Sequence, residues 1–237
     1  MKTHGPTRTA LLRRRRPDVS LAGYLAPGYA FSRRPGTRPE TVILIHGWGV
    51  RAGSMTALAR MLNCAGYAVW NYDYPSSERS IRDHAAAFLA AYRRERPLGK
   101  IFFLTHSMGG LLLRHALAMM GEAECRAIDS IVMLGPPNRG SLLALPGMST
   151  LVRALNASLA DMIPGSAALC IPPPAYLPPV GIVAGSLDGK VPLGSTGLPG
   201  DLPYRRAVVP CTHPGLRQPR NTGTLILNFL RYHEFDR

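Results

Sequence analysis

From residue 41 onward, short apolar runs alternate with longer stretches in which apolar positions recur every three or four residues. Residues 41–46 (TVILIH), 67–75 (YAVWNYDYP), 100–106 (KIFFLTH), 130–135 (SIVMLG), 180–185 (VGIVAG) and 204–210 (YRRAVVP) read as strands. Residues 54–65, 77–96, 108–120 and 222–232 read as helices. In the second of these Ile81, Ala85, Phe88, Leu89 and Tyr92 fall on one face. Several strands are apolar without interruption, the pattern of strands buried on both faces. Alternation of such strands with helices predicts an α/β fold: a mostly parallel central sheet flanked by helices.

The rhythm breaks between residues 141 and 180. That segment holds one expected helix, roughly 148–162, and the proline-rich run IPPPAYLPP. It lies where a small cap would sit. Its apolar residues (Leu142, Leu143, Leu145, Met148, Leu151, Leu155, Met162 and Ile163) are expected to form the apolar wall of a binding site, packing of a helix onto the sheet being the simpler alternative. The chain therefore divides into a basic arm over residues 1–40, expected to be partly ordered at most, and a single domain over 41–237.

Charge changes the picture only at the arm. The formal net charge is +14, and residues 1–40 carry nine Lys or Arg against two acids, including Arg13 to Arg16 in a row. Such an arm could touch nucleic acid or an anionic membrane, although a solvated tail is the simpler reading because no aromatic platform accompanies it. Arg outnumbers Lys 25 to 3 over the whole chain, which points to a general bias in usage. No run is long and apolar enough for a membrane helix. Residues 19–32 are placed like a signal peptide, but Pro27 and two glycines make a poor one, so a cytoplasmic location is expected. Cys64, Cys125, Cys170 and Cys211 lack metal spacing and are expected to be reduced and buried, with a bridge through Cys170 or Cys211 as the alternative.

In open parallel sheets ligands bind at the carboxyl ends of the strands, and three reactive residue types stand there. Residues 105–110 read THSMGG: a serine on a sharp strand-to-helix turn needs small neighbours, which Gly109 and Gly110 supply. Thr105 is bulkier than the glycine usual at its position. Asp188 follows the fifth strand in GSLDGKVP, and His213 follows the sixth in CTHPGL. Each alone has an ordinary reading, as turn aspartate or loop histidine. The order Ser107, Asp188, His213 is that of the α/β-hydrolase triad, serine as nucleophile, histidine as base and aspartate orienting it. Asp161 is the runner-up acid and Asp73 the third. His46 belongs to a glycine turn, His106 is expected to face the wrong side of the serine turn, and His84, His115 and His233 lie in or after helices. The turn His46-Gly47-Trp48-Gly49 ends the first strand and could aim a backbone N–H at an oxyanion, with Met108 giving a second.

With LIHGWG, THSMGG, MLGPPNRGS, GSLDGKVP and CTHPGL in this order, the chain resembles the α/β-hydrolase superfamily over residues 41–232, in particular small bacterial lipases and esterases. The resemblance implies Ser107, Asp188 and His213 as catalytic residues and the Trp48 and Met108 amides as the oxyanion hole. Pro136, Pro137 and Gly140 are implied as structural. It implies a carboxylic ester hydrolase acting through an acyl-serine on short to medium acyl chains, without metal or organic cofactor. A thioesterase, amidase or acyltransferase could use the same residues, and a binding module could keep the fold without the activity.

Overall fold

A computed structural model describes residues 28–95, 97, 99–142 and 156–237. Seven strands form one sheet in the order β1-β3-β2-β4-β5-β6-β7: β1 is Ala30–Arg34, β2 Thr41–Ile45, β3 Ala68–Asp73, β4 Ile101–His106, β5 Ile128–Leu134, β6 Val180–Gly185 and β7 Arg205–Val209. β1 runs antiparallel to β3 and every other pair is parallel. The six strands expected from the apolar runs are all present. β1 is additional and falls inside the stretch read as an arm, so the ordered domain begins well before residue 41. Arg13 to Arg16 lie outside the described residues.

Alternation along the strands divides the core in two. Ile43, Ile45, Phe103 and Met133 face one side with Phe88, Leu89 and Leu112. Val42, Leu44, Leu104 and Val132 face the other with Leu58, Ile226 and Phe229. The first side is covered by α2 (Ile81–Glu95) and α3 (Met108–Ala118), the second by α1 (Thr56–Cys64) and α7 (Pro219–Tyr232). Three short helices complete the described residues: α4 (Glu122–Arg126), α5 (Ala157–Asp161) and α6 (Leu193–Thr196). Burial of apolar side chains on both faces is the main stabilisation, at about 25 cal/mol per Å² removed from water.

Helix α2 starts later than its periodicity predicts. Ser80 Oγ accepts the Asp83 N–H at 3.1 Å, an N-cap that fixes the start at Ile81. The runner-up acid, Asp161, adds to this end by accepting the Ile81 N–H at 2.7 Å. Of the expected helix near 148–162, α5 is the described part. Residues 143–155, and with them Leu143, Leu145, Met148, Leu151 and Leu155, lie outside the described residues. All four cysteines are free; Cys125 and Cys211 are buried as expected, whereas Cys64 and Cys170 are exposed. Among the described residues no helix is long and apolar enough to cross a membrane.

Candidate active site

Strand β4 delivers Ser107 to the carboxyl edge of the sheet, and α3 begins at the next residue. Ser107 has φ 53° and ψ −128°, a conformation that side-chain-bearing residues rarely adopt. A strand can pass this abruptly into a helix only where the backbones can close on each other. A Cβ on Gly109 would stand 2.5 Å from the Ile45 carbonyl oxygen and 2.6 Å from that of His46, so the glycine is required there by close approach. Thr105, the bulkier residue, is fully buried with its hydroxyl unpaired, and the space for it comes from Gly110, whose added Cβ would lie 3.4 Å from Thr105 Oγ1.

Asp188 and His213 come together from the ends of β6 and β7. His213 Nδ1 lies 2.6 Å from Asp188 Oδ2, and both side chains are nearly inaccessible. Asp188 Oδ1 accepts the backbone N–H groups of Lys190 and Val191, each at 2.9 Å. Burial raises the Asp188 pKa, but these hydrogen bonds, the one to His213 first, outweigh it and hold the carboxyl below its ordinary value. The acid is thus a carboxylate. Gly135, at φ 53°, keeps room beneath the pair; a Cβ there would lie 3.3 Å from both Asp188 Oδ2 and His213 Nδ1 and 2.7 Å from Leu216.

Ser107 and His213 line one pocket of about 150 Å³ together with Trp48, Gly49, Met162, Lys190 and Arg217. The turn after β2 forms its opposite rim: a Cβ on Gly47 would stand 2.9 Å from Ser107 Cβ. The Gly49 N–H is committed to Ser76 Oγ at 3.0 Å, and Ser76 Oγ donates to the Val50 carbonyl at 3.2 Å. Met108 opens α3, where backbone N–H groups have no partner inside the helix. Of the apolar residues expected to line an acyl site, Met162 reaches the pocket, whereas Leu142 is exposed and Ile163 packs on the core.

His106 is closer to the site than its place in the sequence implies. Its Nε2 lies 3.1 Å from the His213 carbonyl oxygen, the two rings are 4.7 Å apart, and it borders the pocket. Burial first, and then its neighbours His213 and Arg217, push its pKa well below normal, so it is neutral and donates from Nε2. Asp73 is tied elsewhere. It receives Arg51 Nε at 3.0 Å and the Ala52 N–H at 2.8 Å, which fixes the end of the turn that begins at Gly47. Burial raises its pKa, but hydrogen bonds from His46, Arg51 and Ala52 hold it well below the ordinary value. Pro136, Pro137 and Gly140 form a mostly buried loop whose Asn138 bonds Arg114 and the Thr196 carbonyl.

The model of the alpha/beta hydrolase family matches residues 42–233. The chain belongs to the alpha/beta hydrolase family. No curated protein sequence matches it significantly. Among solved structures this hydrolase is similar to the mature form of the Bacillus licheniformis lipase BlEst2 (TM-score 0.64, 15% identity, 86% of this chain and 99% of the lipase). It covers 54% of the propeptide form of that lipase, at 16% identity and a TM-score of 0.64. It is also similar to a structure of the metagenome-derived lipolytic enzymes LipS and LipT (0.60, 20%, 86% and 98%) and to the Paleococcus ferrophilus monoacylglycerol lipase (0.59, 16%, 87% and 100%). At these identities the likeness is one of fold.

Proposed function

We propose that the protein is a carboxylic ester hydrolase in which Ser107, His213 and Asp188 act as a triad. The observation that carries this reading is the buried 2.6 Å contact between His213 and Asp188 at the mouth of a pocket that also exposes Ser107. The ionised Asp188 accepts the Nδ1–H of His213, leaving Nε2 unprotonated toward the pocket. Nε2 takes the Ser107 proton as Oγ attacks the ester carbonyl. The tetrahedral oxyanion is received by the Met108 N–H, unpartnered within its helix, and by the Trp48 N–H, its neighbour Gly49 being engaged by Ser76. Collapse breaks the carbon–oxygen bond, and the alcohol leaves with the proton held on His213. Water, deprotonated by the same nitrogen, then cleaves the acyl-serine and restores Ser107.

Met162 provides an apolar contact for a short to medium acyl chain. Likeness to the lipases named above supports esters over thioesters or amides as substrates of this chain, and a domain that includes β1, with residues 141–180 as a small cap, is read on the same basis.

The test is hydrolysis of 4-nitrophenyl esters from C2 to C16 by the wild type and Ser107→Ala. A loss of about four orders of magnitude or more in the variant is expected. Comparable rates in the two proteins would remove Ser107 as the nucleophile.

A further inference from the structure

The pocket over Ser107 carries charge that ester hydrolysis as such does not use. Among the described residues its lining includes two cations, Lys190 and Arg217, and no carboxylate. Asp188, two residues before Lys190, has both oxygens occupied, one by His213 and the other by two backbone N–H groups. Among the described residues neither cation has an ion-pair partner. Arg217 Nε is buried without a hydrogen-bond partner, and burial lowers the pKa of its guanidinium with no acid nearby to oppose the effect. A guanidinium has five donors, and leaving them half-desolvated without an acceptor is unfavourable unless a ligand supplies one. Arg217 would thus meet an incoming anion already partly desolvated, and the exposed Lys190 beside it adds a second positive charge.

Their position selects the half of the substrate. Lys190 lies two residues beyond Asp188, and Arg217 closes the short turn Pro214–Arg217 that follows His213. Both therefore stand with the acid and the base, across the pocket from the Trp48–Gly49 turn. His213 hands its proton to the departing alcohol, so that alcohol must lie on this side. We infer that the substrates are esters whose alcohol half carries a carboxylate or phosphate, held by Lys190 and Arg217. This rests on the ester-hydrolase reading above and deepens it.

The test uses aryl butyrates that differ in leaving-group charge. The alcohol-side set is the butyrates of 4-hydroxybenzoate, of its methyl ester and of 4-hydroxyphenyl phosphate, which separates carboxylate from phosphate. The acyl-side pair is 4-nitrophenyl butyrate and mono-4-nitrophenyl glutarate. Each kcat/KM is divided by the hydroxide-catalysed rate of the same ester. An anionic-to-neutral ratio of about ten on the alcohol side is expected at low salt, falling toward one at about 0.5 M salt as the charges are screened. In Lys190→Gln and in Arg217→Gln the ratio is expected to fall about fivefold; being a ratio within one protein, it is insensitive to partial unfolding.

A wild-type ratio of one or less for both anionic alcohols, a ratio unmoved in both variants, or a preference for the anionic acyl chain instead would each overturn the inference and leave ester hydrolysis standing. Failure to cleave any of the esters, with Ser107 still labelled by a fluorophosphonate, overturns the inference but keeps the nucleophile. Failure of both turnover and labelling overturns the two readings together.

Discussion

Trp48 and Asn156 are 108 residues apart in the chain, and the indole Nε1–H of the first donates to the side-chain oxygen of the second at 3.1 Å. The same oxygen accepts the Leu159 N–H at 3.2 Å, which makes Asn156 the N-cap of α5. Ser158 Oγ stands 2.8 Å from the Ser76 carbonyl and 3.0 Å from Asn156 Oδ1, and Ser76 in turn holds Gly49 and Val50. The turn proposed to offer the Trp48 N–H to an oxyanion is therefore anchored through its backbone by Ser76 and through its indole by α5.

Removing the Asn156 acceptor should loosen that turn. In Asn156→Ala, kcat for ester hydrolysis is expected to fall about tenfold with a smaller change in KM, less than the hundredfold or more lost when an oxyanion donor is deleted outright. Stability should drop by about 1 kcal/mol as the cap is lost. Asn156→Asp keeps an acceptor for the indole and should restore most of kcat. Steady-state kinetics beside a thermal melt separate the two effects; an unchanged kcat in the alanine variant would mean that Ser76 alone holds the turn.

Backbone strain at Ser107 gives a prediction about stability. A non-glycine residue in such a conformation costs about 1–3 kcal/mol, whereas glycine adopts it freely. Against this, glycine adds about 0.5–1 kcal/mol of unfolded-state entropy. Relief of strain outweighs that entropy, so Ser107→Gly should be more stable than Ser107→Ala by about 1 kcal/mol, both being inactive. Urea unfolding of the two variants checks this, and equal midpoints would place the strain elsewhere.

Asp188 and Asp161 differ in what their oxygens hold, so amide substitutions tell these two candidate acids apart. Asp188→Asn would present an N–H to His213 Nδ1 and force the proton onto Nε2, where it blocks the base. A fall in kcat of about 10⁴ is expected with the fold intact. Asp161→Asn removes a charge from the start of α2 and should cost about 1 kcal/mol of stability with kcat within about twofold. If Asp161→Asn gave the large kinetic loss and Asp188→Asn the small one, the assignment of the acid would be reversed.

The parts of the fold legible in the sequence are those buried on both sides. β2, β4, β5 and β6 are almost wholly buried and each carries an apolar run, which in β5 begins only after Asp129 and Ser130. β1 reads Ala-Phe-Ser-Arg-Arg and is mostly exposed, an edge strand paired only with β3, and Arg33 lies over the Trp70 ring at 4.4 Å. Its charges look like those of a solvated arm until β3 is there to receive it. Ser107, Asp188 and His213 could be picked out because each follows a strand of the parallel sheet. Asn156, Ser76 and Arg217 could not, because their partners are distant in sequence and their residue types are ordinary in loops. His106 was legible as a neighbour of Ser107, but its bond to the His213 carbonyl depends on how two loops meet.

His84 makes stability depend on pH. It is fully buried on α2, Nδ1 accepts the Tyr29 hydroxyl at 3.0 Å, and Nε2 has no partner. Burial, assisted by the Arg79 cation, lowers its pKa to about 4. The ordinary value of about 6.5 holds in the unfolded chain, which therefore takes up the proton first. Stability from the neutral ring is fully present above about pH 6.5 and is lost as the pH falls toward 4, by roughly 2 kcal/mol at pH 5. For a chain of this size that is a fall in Tm of about 4–8 °C between pH 7.5 and 5. His106 and His115, also lowered by burial, titrate in the same sense and add to it. In His84→Phe, the fall between the two pH values should shrink by about half. A fall as large as that of the wild type would assign the acid sensitivity to the other two histidines.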